Sequence, residues 1–276
     1  MTSNGKAVYC FAVFLSSHMI RLLTIFLFFA ITSIDAQQAL RTIPNEAFGL
    51  GERLEYKVGY QFVKAGDAYF HVQPKSFTYK GRPCYDIRFE VRSLKSLDWL
   101  YRVQDIYRTL VDIDGIYPYY FEQKIREGGY RKDAKAHFDH SAKKATVDDK
   151  SYPFPAFSHD IVSAFYFVRT MDLTSKKKGD VIQLKNFVDD STYTLGVRIH
   201  GKQTVNVQAG TFNCIVVEPM VTKGGLFKSE GKILLWLTDD ERKIPVKVST
   251  KVLIGAIEAE LTSFSGTRGP IKAKIK

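Results

Sequence analysis

Long stretches of this sequence alternate between apolar and polar residues, and this period-two pattern constrains the fold more than any other feature. Segment 54–62 carries an apolar or aromatic residue at every second position, and segment 244–248 repeats the alternation. Successive side chains of a β-strand point to opposite faces, so both segments are predicted strands with one face in a core and one in water. The same pattern predicts strands at 67–73, 84–94, 103–112, 116–127, 130–139, 181–184, 192–200, 204–208, 212–221, 228–237 and 256–264.

Short glycine-containing segments separate many of the predicted strands. They are 65–67, 114–115, 128–129, 200–202, 209–211 and 224–225. Each is typical of a tight turn, and connections this short force neighbouring strands to be antiparallel. We therefore predict a mostly β fold, with a single large, strongly curved antiparallel sheet or half-barrel.

One packed helix is predicted near 160–171. Asp160 is a suitable N-cap, and the apolar residues Ile161, Ala164, Phe165 and Val168 follow at helical spacing. Other apolar residues lie off this stripe, which favours a helix that is packed over much of its circumference, against the concave side of the sheet. A second, short helical turn is predicted within 94–100.

The first 36 residues have the organisation of a secretory signal peptide. Arg21 precedes the apolar run Leu22–Ile34, and Ala36 is the small residue at the exit. Met19 begins a complete leader by itself, so it is the expected true start. The run is too short to span a hydrocarbon core of about 30 Å; an uncleaved membrane anchor is the alternative.

The rest of the chain divides into an N-terminal extension at 37–47, a β-rich exported domain at 48–266 and a basic C-terminal tail at 267–276. We expect an exported protein of the periplasm or the outer-membrane periphery of a Gram-negative-type bacterium, with no transmembrane helix in the mature chain. The formal net charge is +11, of which the leader holds +1. For an exported protein this charge points to lipid, lipopolysaccharide or glycan partners, with peripheral membrane contact, and not to nucleic acid. A solvated basic surface is the alternative.

Two cysteines follow the leader, Cys84 and Cys214. Export would permit them to pair. Cys84, however, alternates with apolar residues of its strand and shares the parity of Asp86 and Arg88, which predicts that it points to the polar face. Two unpaired strand thiols are favoured, and the disulfide stays open.

No catalytic signature is present in the sequence, and we expect no catalytic residue, metal or cofactor. The metal candidate is His137-Phe138-Asp139-His140, whose ligands would come from one hairpin; a basic surface hairpin is favoured. His159, Asp160 and Ser163 could imitate a base, its orienting carboxylate and a nucleophile, but helix capping explains Asp160 and Ser163 better. Asp239–Glu241 lacks the rest of a calcium loop and is predicted to be a solvated turn.

Four residues are candidates for ligand binding: Trp99, Tyr101, Arg169 and Phe227. Arg169 lies beside the packed stripe of the helix, so its guanidinium needs an acceptor. That acceptor would be a carboxylate that locks helix to sheet, or a headgroup at the mouth of an apolar groove. The aromatic residues would line such a groove or insert into a membrane; core packing is the alternative.

Four separated segments, Gly51–Tyr56, 160–169, 209–214 and 235–246, together resemble the bacterial exported family catalogued as domain of unknown function 3108. The resemblance implies an exported, β-rich envelope protein without an established activity. Segment 236–247 is also similar to a strand-turn-strand of periplasmic lipoprotein carriers, which implies a half-barrel with an apolar interior. The functional residues of those carriers cannot be aligned here.

Three classes of function follow from these observations. The first is a non-catalytic envelope protein that binds an amphiphilic lipid or a glycan on a concave sheet face. The second is a structural or protein-interaction module whose groove is filled by its own side chains, and the third is a hydrolase with an unrecognised site. A large apolar cavity would favour the first class, a filled core the second, and clustered titratable residues in a cleft the third.

The leader itself gives a direct prediction. We expect cleavage after Ala36, because this small residue closes the apolar run. N-terminal sequencing of protein from the periplasmic fraction should begin at Gln37, whereas a full-length product retained in the inner membrane would contradict the assignment.

Overall fold

The computed structural model describes residues 40–60, 63–221, 232–251 and 255–276. Within these residues the chain forms 15 strands, one α-helix (α1, Ile161–Thr170) and one 3-10 turn (Lys95–Leu97). The strands are β1 (Arg53–Tyr60), β2 (Val63–Val72), β3 (Phe77–Tyr79), β4 (Arg82–Ser93), β5 (Gln104–Asp112), β6 (Pro118–Glu127), β7 (Tyr130–Asp139), β8 (Lys144–Val147), β9 (Lys150–Pro153), β10 (Val181–Val188), β11 (Ser191–Val207), β12 (Gly210–Val221), β13 (Ile233–Thr238), β14 (Pro245–Lys251) and β15 (Ala256–Ser265). The described part contains no helix long and apolar enough to cross a membrane.

All these strands belong to one antiparallel sheet, which confirms the predicted fold class. The order is β10-β11-β12-β13-β14-β15-β1-β2-β4-β5-β6-β7-β8-β9, and β3 pairs with β4 off this path. Most neighbours are consecutive in the chain, as short hairpins require. The last strand, β15, pairs with β1 along its length, from Arg53 opposite Ser265 to Tyr60 opposite Ile257.

The sheet curves until its two outer edges approach each other, but it does not close into a barrel. His159, just after β9, receives a hydrogen bond from the Phe187 N–H of β10 (2.7 Å) and donates its own N–H to the Lys185 carbonyl (2.9 Å). Phe138, Phe154 and Phe187 pack together at the same place. This contact covers a strand edge that would otherwise present unpaired backbone groups.

The helix α1 begins at the predicted cap. Asp160 Oδ1 accepts hydrogen bonds from the N–H groups of Val162 (2.8 Å) and Ser163 (2.9 Å), as an N-cap does. The second oxygen, Oδ2, accepts from the Thr109 hydroxyl of β5 at 2.7 Å, so the cap also ties the helix to the sheet. The helix is buried over most of its surface, as the sequence predicted.

The predicted turns at 65–67 and 200–202 are wrong. Gly66 lies within β2, where a side chain would collide with the Arg92 carbonyl of β4, so glycine permits a close approach of two strands. Gly201 has a φ of 102° at a bulge, and β11 continues through it. The separate strands predicted at 192–200 and 204–208 are therefore one strand. The turn predicted at 224–225 lies outside the described residues.

The prediction that Cys84 faces water is also wrong. Cys84 does share a face with Asp86, but both are buried, because Arg88 and Arg108 cover Asp86 and Cys84 lies opposite Asp112 in β5. Both Cys84 and Cys214 are unpaired thiols. Burial raises the pKa of each to about 12, so both stay protonated and weakly reactive at neutral pH.

The segments that flank the sheet pack onto it. In the extension at 37–47, Arg41 donates to the carbonyls of Gly115 (3.0 Å) and Ile116 (2.9 Å). In the basic segment at 267–276, Ala273 is buried; its carbonyl accepts from Asn213 N–H (2.9 Å), and its own N–H donates to Asp240 Oδ2 (3.0 Å). The C-terminal segment thus adds backbone contacts to the start of β12.

A buried ion pair joins α1 to β1. The Arg169 guanidinium donates to both carboxylate oxygens of Glu52, at 2.7 and 2.8 Å, and both side chains are completely buried. It also donates to the carbonyls of Ala47 (3.3 Å) and Arg242 (3.1 Å). One side chain therefore fixes the helix, the start of β1 and the turn between β13 and β14.

Removing either partner should strongly destabilise the fold, because the other charge would stay buried without a counter-ion. We expect Arg169→Met and Glu52→Gln each to lower the free energy of unfolding by about 3–5 kcal/mol. The exposed pair Arg53–Glu55 is the control, and Arg53→Met should cost less than about 1 kcal/mol. Urea unfolding followed by circular dichroism measures both, and equal effects of the buried and exposed substitutions would contradict this role.

Candidate functional site

A cavity of about 450 Å³ lies between the concave face of the sheet and α1. Its volume is within the range of about 300–1,000 Å³ that is usual for small-molecule sites. The helix contributes the predicted apolar stripe, and the strands contribute inward-facing residues. The lining residues are Tyr56, Val58, Ala68, Phe70, Phe89, Val91, Tyr107, Ile161, Val162, Ala164, Phe165, Val168, Asn186, Val188, Tyr193, Thr194, Leu195, Val197, Val217, Pro219, Ile233, Leu235, Leu237, Pro245, Val248, Thr250, Ile257 and Ala259.

None of the described residues that line the cavity carries a formal charge. Its aromatic part is built around Phe70, whose ring stacks on Phe89 at 4.3 Å and on Phe165 at 5.1 Å between centroids. The Tyr56 hydroxyl is already engaged, because it donates to the Pro245 carbonyl at 2.8 Å. Burial raises the pKa of Tyr107, so this phenol is neutral at any physiological pH. The site therefore offers apolar contact and very little polar recognition.

Asn186 is the one amide among the described lining residues, which also include the hydroxyl-bearing Tyr107, Tyr193, Thr194 and Thr250. Its side-chain Oδ1 is buried and has no hydrogen-bond partner among the described residues, and Asn186 is only 7% exposed. Asn186 lies in β10, opposite Tyr193 of β11. This oxygen is inaccessible, so it does not open onto the cavity, and its burial without a partner costs stability without offering a ligand a hydrogen bond.

The local sequence explains why this space stays open. Strand alternation turns every second residue inward, and at Ala68 and Ala259 the inward residue is small. On the helix, Ala164 is likewise small, and it lies in the same stripe as Ile161 and Phe165. The Phe165 ring is only partly buried because it borders the cavity.

The residues predicted as a ligand site do not come together here. Trp99 and Tyr101 lie in the loop between β4 and β5, 80% and 55% exposed, and neither lines the cavity. Arg169 does not line it either, because its guanidinium is enclosed by Glu52 and two carbonyls. Phe227 lies outside the described residues. The helix residues Ile161, Ala164, Phe165 and Val168 were predicted to face the concave side and do line the cavity, whereas the sequence did not single out Asn186, Ala68 or Ala259.

The residues considered above for metal binding, catalysis or calcium binding make contacts within the fold instead. His137 is exposed and contacts the Tyr79 hydroxyl, whereas His140 points into the core, so the two do not converge. In the part of the chain that is described, no three His, Cys, Asp or Glu side chains are close enough to hold a metal ion. The Ser163 hydroxyl donates to the Asp160 carbonyl (3.2 Å) and makes no hydrogen bond with His159. Asp239–Glu241 lies in a turn, but the prediction that this turn is solvated is wrong at Asp240, which is buried and accepts from the N–H groups of Arg242 and Lys243.

The comparisons with known proteins agree with this architecture. Residues 55–262 match the family described as "Protein of unknown function (DUF3108)", and the chain belongs to that family. A β-barrel-like protein of domain of unknown function DUF1849 from Brucella abortus has a similar structure, with a TM-score of 0.50 and 12% identity over 78% of this chain and 97% of that chain.

Two further solved structures are less similar to this chain than the Brucella protein is. A hypothetical protein from Chlamydia trachomatis has a TM-score of 0.35 and 8% identity, over 83% of this chain and 92% of that chain. A protein with a YmcC-like fold from Bacteroides fragilis has a TM-score of 0.31 and 10% identity, over 82% of this chain and all of that chain. A search of curated proteins found no match.

The buried imidazole of His140 should make stability depend on pH. Its Nε2 lies 2.6 Å from the Pro118 carbonyl and its Nδ1 lies 2.9 Å from the Phe157 N–H, so the neutral ring donates at one nitrogen and accepts at the other. Burial lowers the pKa of His140 from about 6.5 to about 4. As the pH falls below 6.5 the unfolded state takes up the proton first. The stability that the neutral His140 ring contributes is therefore complete above pH 6.5, and it is lost progressively as the pH falls towards 4.

As the pH is lowered from 6.5 to 4, we expect His140 to decrease the free energy of unfolding by up to about 1.4 kcal/mol per pH unit. His140→Gln keeps a donor and an acceptor but does not titrate, so its stability should fall less steeply. Urea unfolding at several pH values measures both slopes. Identical slopes for the parent protein and His140→Gln would show that His140 does not contribute to the pH dependence of stability.

Proposed function

We propose that this protein is an exported, non-catalytic cell-envelope protein that holds the apolar part of a lipid in the cavity between the concave sheet and α1. The observation that carries the proposal is a cavity of about 450 Å³, of which the lining residues within the described part of the chain are all uncharged. An acyl chain moved from water into such a space gains about 0.8 kcal/mol for each methylene that is buried. A protein with a completely filled core would have no such space to offer.

A lipid fits this lining better than a glycan does. A sugar ring carries several hydroxyl groups, and each one needs a hydrogen-bond partner when it leaves water. Few polar groups are offered by the described lining, and some are already engaged: the Tyr56 hydroxyl donates to the Pro245 carbonyl, and the Thr194 hydroxyl accepts from Lys185. We infer a ligand whose enclosed part is long and apolar.

The proposed cellular location is based on the predicted signal peptide and on the net charge. A signal peptide at 1–36 would export the chain to the periplasm or the outer-membrane periphery, where lipid is abundant. The remaining positive charge would then face anionic lipid or lipopolysaccharide, and the protein would not meet nucleic acid. A structural or protein-interaction module without a small ligand is the function that remains if the cavity proves empty in solution.

Filling the cavity should abolish ligand binding. Ala259 faces the cavity from β15, and an indole at this position would occupy much of the space. We expect Ala259→Trp to weaken binding of a fluorescent fatty-acid analogue at least tenfold in a direct titration. Ser263→Trp is the matched control, because Ser263 is exposed on the same strand and does not line the cavity.

The outcome is interpretable only if both variants fold, which circular dichroism checks. The proposal is supported if the parent protein and Ser263→Trp bind alike and Ala259→Trp does not. It is overturned if the parent protein shows no saturable binding, or if the folded Ala259→Trp variant binds as well as the parent.

A further inference from the structure

An exposed apolar cluster stands apart from the cavity lining. Trp99, Leu100 and Tyr101 are consecutive and are 80%, 69% and 55% exposed. Val63 at the start of β2 and Tyr130 at the start of β7 are also more than half exposed, at 58% and 56%. We name these five residues the rim patch. Large apolar side chains that are exposed together are unusual unless a partner covers them.

The chain connections place these residues at one end of the sheet. The Leu94 N–H donates to the Ala65 carbonyl of β2 at 2.9 Å, and the Gly128 N–H donates to the Arg102 carbonyl at 2.8 Å. The Tyr101 ring lies over Gly128, where an added side-chain carbon would be 2.8 Å from it. The loop between β4 and β5 is thus attached both to β2 and to the turn between β6 and β7.

The loop that carries Trp99 is internally bonded. The Leu97 carbonyl accepts from the N–H groups of Leu100 (3.0 Å) and Tyr101 (3.2 Å). The Ser93 hydroxyl donates to Asp98 Oδ1 (2.5 Å) and accepts from the Val103 N–H (2.9 Å). These bonds hold the loop in shape while the side chains of Trp99 and Leu100 project into solvent, so little ordering is needed on binding.

Cations surround the rim patch. Lys64, Lys95 and Arg131 are exposed, and no ion pair joins any of them to a carboxylate of the described residues. The neighbouring acids Asp98 and Glu127 are both partly buried. Asp98 accepts from Ser93, and burial beside Asp105 raises the pKa of Glu127, which favours its neutral form. The three exposed cations thus outnumber the two partly buried acids, and the net charge around the rim patch is positive.

We propose that the rim patch docks this protein on an anionic lipid bilayer, with Trp99 and Leu100 in the boundary between headgroups and acyl chains. Tryptophan and tyrosine favour this boundary, and exposed lysine and arginine are attracted to anionic headgroups. Val91 of the cavity lining lies in β4, two residues before Ser93, so the docked end of the sheet is also an end of the cavity. The inference does not require that the cavity holds a ligand.

The test is co-sedimentation with vesicles of phosphatidylglycerol and phosphatidylcholine, compared with vesicles of phosphatidylcholine alone. We expect binding to the anionic vesicles, reduced about fivefold or more in Trp99→Ala/Leu100→Ala. The matched control is Leu50→Ala/Ile275→Ala, which removes exposed apolar residues outside the rim patch (42% and 57% exposed) and should bind like the parent.

Charge reversal tests the second half of the proposal. Lys95→Glu/Arg131→Glu should reduce anionic-vesicle binding, whereas Lys144→Glu/Lys178→Glu, with the same change in charge at exposed positions outside the patch, should reduce it much less. In a Trp236→Phe background the remaining tryptophan is Trp99, and its emission should shift to the blue on binding.

The docking proposal is overturned if the parent protein stays in the supernatant at low salt. It is equally overturned if folded variants in the patch bind like the parent, or if Trp99 emission does not change. Because the fatty-acid titration is done without vesicles, a failure of docking is distinguishable from a failure of the cavity proposal.

Discussion

The buried ion pair between Glu52 and Arg169 is the interaction on which the rest of the structure depends. Two charges in the core are tolerated only when each satisfies the other, so the pair specifies one position for α1 relative to β1. The further bonds from Arg169 to the carbonyls of Ala47 and Arg242 extend this constraint to two segments distant in sequence. With the helix held in this way, its apolar stripe faces the sheet.

The cavity follows from that placement. A short helix of 10 residues cannot fill the concave side of a sheet of 15 strands, and the residues opposite it include small alanines. Arg169 is paired with Glu52 inside the fold and does not line the cavity, and the lining residues that the structure describes are uncharged. Positive charge is instead displayed outside, near exposed aromatic residues at one end of the strands. Charge and apolar volume are therefore separated, as an amphiphile would require of its binding protein.

Local patterns in the sequence predicted the elements better than they predicted the site. Strand alternation and the Asp160 cap define β1, β15 and α1 because these signals depend on neighbouring residues alone. Gly66 and Gly201 were mistaken for turns because glycine serves a close strand contact or a bulge equally well. Alternation tells which side chains face inward, but not whether they fill the interior, since that volume depends on all the strands and the helix together. The partner of Arg169 was likewise hidden, because Glu52 lies 117 positions away in the chain.

Native mass spectrometry of protein purified from cell envelopes can show whether the cavity holds a lipid chain. Protein that encloses a lipid should show a mass above that of the polypeptide, and organic solvent should release the excess mass as lipid. Protein that shows only the polypeptide mass, and that gains no lipid when incubated with an envelope lipid extract, would contradict the account.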